Sequence, residues 1–168
     1  YANATIDDDE AQASLRTWVA AAQAQLGRLE DADRTLAAAL RLRPDHPAAN
    51  LVQARLQAAA GDVDGALRRV EGVLARTPSD EHAGLARAQL LWLGRNDAEG
   101  ALATLQRVLE SHPRSVVALA EVVTIQFRSG RTTEARQGYE RLRAIAPDHP
   151  HVVYAEAQFE FVEGRFAR

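Results

Sequence analysis

Few side chains in this 168-residue chain are equipped for chemistry. It has five histidines and no cysteine, which removes a thiolate zinc site, a cysteine nucleophile and a disulfide framework together. The densest group of potential ligands is Asp148, His149 and His151. It lacks the helical His-Glu-x-x-His arrangement that makes a zinc site convincing. His46, His82, His112, His149 and His151 all fall in short junctions marked by prolines, where polar turn residues are ordinary. No glycine-rich phosphate loop is present, and no serine sits in a nucleophile-elbow motif. Glu156 and Glu160 lie one helical turn apart, a spacing common on solvated surfaces. The chain is therefore expected not to be an enzyme, with no catalytic residue, no metal and no cofactor.

A different chemistry, recognition of another chain, is better represented. Trp92, Phe127 and Phe161 each stand fourteen residues after a proline. Leu51, Leu85, Ala120 and Tyr154 stand seven after, two helical turns earlier on the same side. Between them, eleven after, come Arg55, Gln89, Thr124 and Gln158. Stacked copies would set these into apolar and aromatic ladders with a polar centre line. Such a surface suits an extended or helical peptide, and Arg55 and Arg128 could each hold a ligand carboxylate. Aromatic residues at helical spacing also make ordinary packing core, so Trp92, Phe127 and Phe161 are read as either groove or core.

The elements that must position these residues repeat with a nearly fixed period. Pro44, Pro78, Pro113 and Pro147 are separated by 34, 35 and 34 residues. Within each period one helical pattern follows another across a short turn. Leu15, Val19, Ala22 and Leu26 recur at helical spacing and are taken as the apolar face of the first helix, closed by Gly27. Ala32, Leu36, Ala39 and Leu40 carry the second. Acidic residues such as Asp31, Asp62, Asp97 and Glu134 lead the second helices, while Arg41, Arg76 and Arg143 lie near their ends, as the helix dipole favours. Residues 1–12 are a lead-in or the start of the first helix, with Thr5 a candidate cap ahead of Asp7, Asp8, Asp9 and Glu10.

Gly27, Gly61, Gly130 and Gly164 sit in the turns, and Ala32, Ala66, Ala101 and Ala135 where two helices would cross closely. With the prolines that end each unit, this pattern resembles the tetratricopeptide repeat, a helix–turn–helix unit of ~34 residues. The third copy carries one extra residue near its turn, where Gly94 comes early and Asn96 takes the place of the glycine. Polar residues, among them Asn50, Gln53, Gln57, Arg87, Glu156 and Glu160, stand where the family usually buries large side chains. The first helices are accordingly expected to be rotated about their axes. The resemblance implies an all-α, right-handed superhelical solenoid of antiparallel helix pairs, four full repeats plus one further helix. Repeats are expected at about 13–46, 47–80, 81–115 and 116–149, with a partial unit at 150–168.

It further implies a scaffold or adaptor that binds a protein or peptide on its concave face. The expected contacts are Leu51, Arg55, Leu85, Gln89, Trp92, Thr124, Phe127, Arg128, Tyr154, Gln158 and Phe161. The alternatives are a structural spacer with no groove ligand, or an envelope factor of the kind linked to exopolysaccharide export. The carboxylate-gripping subclass of the family uses lysine and asparagine along its groove. This chain has no lysine, and Arg55 stands where that clamp has asparagine in the second repeat, so that subclass is not expected. A net charge of −3, with arginines alternating with acids, argues against nucleic acid. No apolar run approaches the ~18 residues needed to span a bilayer. The opening on Tyr1 suggests a piece of a larger bacterial protein, monomeric as a fragment, with cytoplasm and periplasm both open.

Overall fold

The computed structural model describes residues 8–162. Over that range the chain is all-α, and no strand occurs among the described residues. It divides into two compact units, residues 1–90 and 91–168. The first holds α1 (Asp8–Gln25), α2 (Leu29–Leu42), α3 (Pro47–Ala59), α4 (Val63–Arg76) and α5 (Glu81–Gln89). The second holds α6 (Ala98–Ser111), α7 (Val116–Arg128), α8 (Thr132–Ile145) and α9 (Pro150–Val162). Thr5 and Gly164, expected as a cap and a turn glycine, lie outside the described residues.

The turns form where the spacing places them. Gly27, Gly61 and Gly130 have φ of 75°, 90° and 76°, a left-handed backbone that costs glycine little. Asn96 takes the same conformation at φ 54°, so it stands in for glycine in the third copy as its position predicts. The extra residue of that copy is absorbed just upstream, where α5 widens into a π turn at Leu90–Gly94.

Several helices start on a side-chain cap. The carboxylates of Asp62, Asp80 and Asp97 accept hydrogen bonds from the backbone N–H groups of Gly65, Ala83 and Gly100 at 2.8–2.9 Å, and Ser115 Oγ accepts from Ala118. At α2 the acid plays a different part. Asp31 is bonded by Arg28 and Arg34, and Arg28 first, then Arg34, holds its carboxyl below the usual carboxylate range.

In unit 1, α1 packs on α2 and α3, and α3 in turn on α4 and α5. Ala20, Leu36, Ala39 and Ala49 form one buried cluster, while Leu51, Ala54, Ala66, Val70, Val73, Ala83 and Ala86 form another. Small side chains at the crossings let the helices approach closely. The inward face of α1 corrects the expectation from spacing. Ala13, Thr17 and Ala20 are buried, whereas Leu15, Val19, Ala22 and Leu26 point outward. Two apolar stripes compete for the interior of unit 1, and the small one fits the close approach to α2 and α3.

Two further expectations change. His46 is a buried cap rather than a bland turn residue. Its Nδ1 accepts the N–H of Ala49 (3.2 Å), and its Nε2 lies 3.0 Å from Ser14 Oγ and 3.4 Å from a Glu10 carboxylate oxygen. An accepting Nδ1 requires the proton on Nε2, which then faces Ser14 and Glu10. Rotation does not carry Asn50 out to solvent either. Asn50 is buried and fully bonded: its Nδ2 donates to the carbonyls of Pro44 and His46 (both 3.0 Å), and its Oδ1 accepts from Arg69 (2.8 Å). Arg69 Nε donates in addition to Gln57 Oε1 (3.1 Å). A polar side chain can keep an inward position when every donor and acceptor is met.

In unit 2, α6 packs on α7, and α7 on α8 and α9. Ala101, Leu105, Leu119, Val123, Ala135, Leu142 and Phe159 are buried. Arg131 and Glu99 form an ion pair at the start of α8.

Candidate partner-binding cleft

The first helices of unit 1 leave a cleft between them. Its volume is about 420 Å³, and α1, α3 and the start of α5 supply its walls. Trp18 of α1 and Leu51 and Val52 of α3 give it an apolar side. Arg55 stands exposed on the same helix one turn beyond Leu51, and Ser14, Asp80 and His82 add polar groups. The geometry follows from the repeat. Residues seven and eleven after the proline lie on one face of the first helix, so Leu51 and Arg55 come to the cleft together. Fixed apolar walls with a free guanidinium can bury an aliphatic or aromatic side chain and hold a carboxylate beside it.

Sequence reasoning placed Leu51 and Arg55 here and missed Trp18. The signal was present: Trp18 lies 34 residues before Val52, and Thr17 and Ala21 lie 34 before Leu51 and Arg55. No proline precedes the first helix, so counting from prolines left that copy out. Leu85 is half-buried and Gln89 exposed on α5.

In unit 2 the corresponding positions are differently filled. Phe127 is half-buried and meets Phe159 edge-on, with ring centroids 5.3 Å apart. Phe159 is buried and also meets Tyr139 at 5.5 Å. The Arg136 guanidinium lies 4.3 Å from the Phe159 ring centre. Trp92 is half-buried in the π turn, with the Arg128 guanidinium 5.9 Å from its ring centre, so these two expected contact residues engage each other. The Thr124 hydroxyl donates back to the carbonyl of Ala120 at 2.8 Å. Gln158 is half-buried, while Tyr154 and Phe161 are exposed on α9.

Tyr139 adds one polar atom to this packing. Its hydroxyl is buried without a partner at hydrogen-bond geometry. Burial raises its pKa above the ordinary tyrosine value, and the nearby Glu156 carboxylate adds to the rise. The rings of His149 and His151 stack 5.3 Å apart, and His149 Nδ1 accepts the backbone N–H of His151. Among the described residues no group of three histidine or acidic side chains is arranged to hold a metal ion. No helix among them is long and apolar enough to cross a membrane.

The tetratricopeptide-repeat profile matches residues 23–90 and again 93–159, well over half of the sequence. The chain belongs to the tetratricopeptide-repeat family. No curated protein matches it. Solved structures of the same fold do. A thermophilic tetratricopeptide-repeat protein of Thermus thermophilus is 22% identical, with a TM-score of 0.75 over 91% of this chain and 84% of that one. The pilF protein of Pseudomonas aeruginosa is 15% identical, with a TM-score of 0.82 over 94% of this chain and 72% of that one. MamA of Desulfovibrio magneticus is 19% identical, with a TM-score of 0.66 over 82% of this chain and 77% of that one. At these identities the likeness is one of fold. Tetratricopeptide repeats are characteristically modules of protein–protein interaction, and the alternation of helix pairs described above is theirs.

Proposed function

We propose that this tetratricopeptide-repeat chain is a scaffold or adaptor that binds a protein segment in the cleft of unit 1. The observation that carries the proposal is the meeting of Trp18, Leu51 and Val52 with the exposed Arg55 around one cleft. An exposed tryptophan beside a fixed aliphatic wall is a costly surface to leave in water and a good anchor for a partner side chain. Arg55 selects for a carboxylate near that anchor. The preferred segment is therefore short, apolar at one position and acidic one or two residues away. The partner is a protein; the acidic balance of the chain and the mixed charges of its helices do not favour nucleic acid. Leu85 and Gln89 stand on α5 at the repeat positions of Leu51 and Arg55 and are carried as further contacts. In unit 2, Trp92, Phe127 and Phe159 serve packing first, which leaves Tyr154, Gln158 and Phe161 as outlying contacts.

The test is a peptide array in which one aromatic or leucine position and one acidic position are scanned. Peptides retained by the parent chain should be lost by Trp18→Ala and by Arg55→Glu, with melting curves unchanged. Retention of the same peptides by both variants would reject the cleft as the binding site.

A further inference from the structure

The cleft of unit 1 carries opposite charges at its two ends. Ser14, Ala48 and His82 line it together, and each stands 34 residues from the next, so α1, α3 and α5 present equivalent levels side by side. His46 and Asp80, also 34 apart, line the end at which α3 and α5 begin, and each caps its helix. His46 Nδ1 accepts the N–H of Ala49, and Asp80 Oδ1 accepts that of Ala83 at 2.9 Å. The second oxygen of the half-buried Asp80 carboxylate remains to accept from a guest. The opposite charge, the exposed Arg55, lies farther along the cleft.

Their separation says what shape of guest can reach both. A helix rises about 1.5 Å per residue, so Leu51 lies about 7–8 Å and Arg55 about 13–14 Å beyond the level shared by His46 and Asp80. An extended chain rises about 3.3 Å per residue and covers those distances in about two and four residues. Its side chains at i, i+2 and i+4 also share one face. A helix laid along the cleft would need about nine residues, and at about 100° per residue its two charged side chains would point to opposite sides.

We propose that the cleft takes an extended protein segment with a basic side chain at i, an apolar one at i+2 and an acidic one at i+4. The basic group meets Asp80, the apolar side chain enters between Trp18 and Leu51, and the carboxylate meets Arg55. The cation, the spacing and the extended conformation rest on the reading of this cleft as the binding site and go beyond it.

The probes are seven-residue serine peptides with lysine, leucine and glutamate at the second, fourth and sixth places. Both charge orders are made, since an extended segment can run either way along the cleft. They are titrated at low salt against the full chain and followed by backbone NMR shifts. Saturable binding that Trp18→Ala abolishes is expected. Changing the lysine to glutamine should weaken binding to the parent about threefold, the scale of a partly exposed ion pair, and leave binding to Asp80→Asn unchanged. The effect in the parent should fade as salt rises. Asparagine caps a helix as well as aspartate does, so the melting curve of Asp80→Asn should match the parent. Placing the two charges side by side, or stapling the peptide into a helix, should weaken binding as well. Trp18-dependent binding that ignores the lysine, its spacing or the staple overturns the extended charged segment and leaves the cleft as the binding site. Peptides that cause no Trp18-dependent shift overturn both.

Discussion

The two units run the same repeat with opposite outcomes on the face expected to bind. In unit 1, Leu51, Val52 and Arg55 border an open cleft, and Trp18 stands beside them in solvent. In unit 2, Phe127 turns onto Phe159, Phe159 onto Tyr139, and Trp92 lies under Arg128. The difference is one of side-chain size at shared positions. Twelve residues after the proline, unit 1 has Leu56 where unit 2 has Ile125 and Phe159. In the second helices, Leu36 and Val70 stand where unit 2 has Leu105 and Tyr139. Large rings in unit 2 reach one another, and Tyr139 and Phe159 there line a smaller, charged cleft of about 260 Å³ with Arg136, Glu140, Arg143, Glu156 and Glu160. Smaller side chains in unit 1 let Leu51 reach the cleft wall. A repeat therefore fixes where a surface can form, while side-chain size and charge decide what lines it.

The largest effect that could break this comparison is at Phe159. It is buried against two aromatic rings, so Phe159→Ala should cost about 3–5 kcal/mol of stability. Chemical denaturation measures it, and a loss below 1 kcal/mol, roughly the figure for an ordinary substitution, would mean that ring packing does not hold unit 2 together. Crossing alanines come next and should behave alike in both units. Ala66→Leu and Ala101→Leu should each cost about 1–3 kcal/mol through overpacking. Tolerance in one unit alone would show that the two crossings differ.

Tyr139→Phe sharpens the picture of unit 2. The buried hydroxyl has no hydrogen-bond partner, so its removal should leave stability unchanged or raise it by up to about 1 kcal/mol. The parent carries a pH dependence that the variant should lack. The folded-state pKa of Tyr139 is raised, so its contribution to stability is fully present below the unfolded value near 10. It is lost as pH rises through the folded value. Melting curves recorded across the alkaline range compare the two, and an identical alkaline slope in both proteins would remove the hydroxyl from the account. The smallest stability effect belongs to unit 1. Trp18→Ala should change stability by no more than about 0.5 kcal/mol, since the side chain is largely in solvent. A drop in melting temperature comparable with that of Phe159→Ala would show that Trp18 is packed rather than exposed.

Much of the fold was legible in residue types and spacing. Proline period, turn glycines and crossing alanines are local requirements, each met by one residue whatever lies elsewhere. Asn96 was legible for the same reason, because a left-handed turn tolerates few side chains and asparagine is one of them. The cleft was legible in part: Leu51 and Arg55 follow from counting, and Trp18 would have followed had the count run backward from Val52.

Tertiary structure alone decided the rest. Helical spacing tells which residues share a face, but not which face finds a neighbour. For α1 the sequence carries two apolar stripes, and only the closeness of α2 and α3 selected Ala13, Thr17 and Ala20 over Leu15, Val19 and Leu26. Asn50 could stay buried only because Arg69, nineteen positions away, meets its carbonyl oxygen. The cap that His46 makes is local, but its ring is buried because Ser14 and Glu10 of another helix meet its Nε2. Each of these outcomes rests on atoms distant in sequence arriving within a few ångströms, which no period along the chain records.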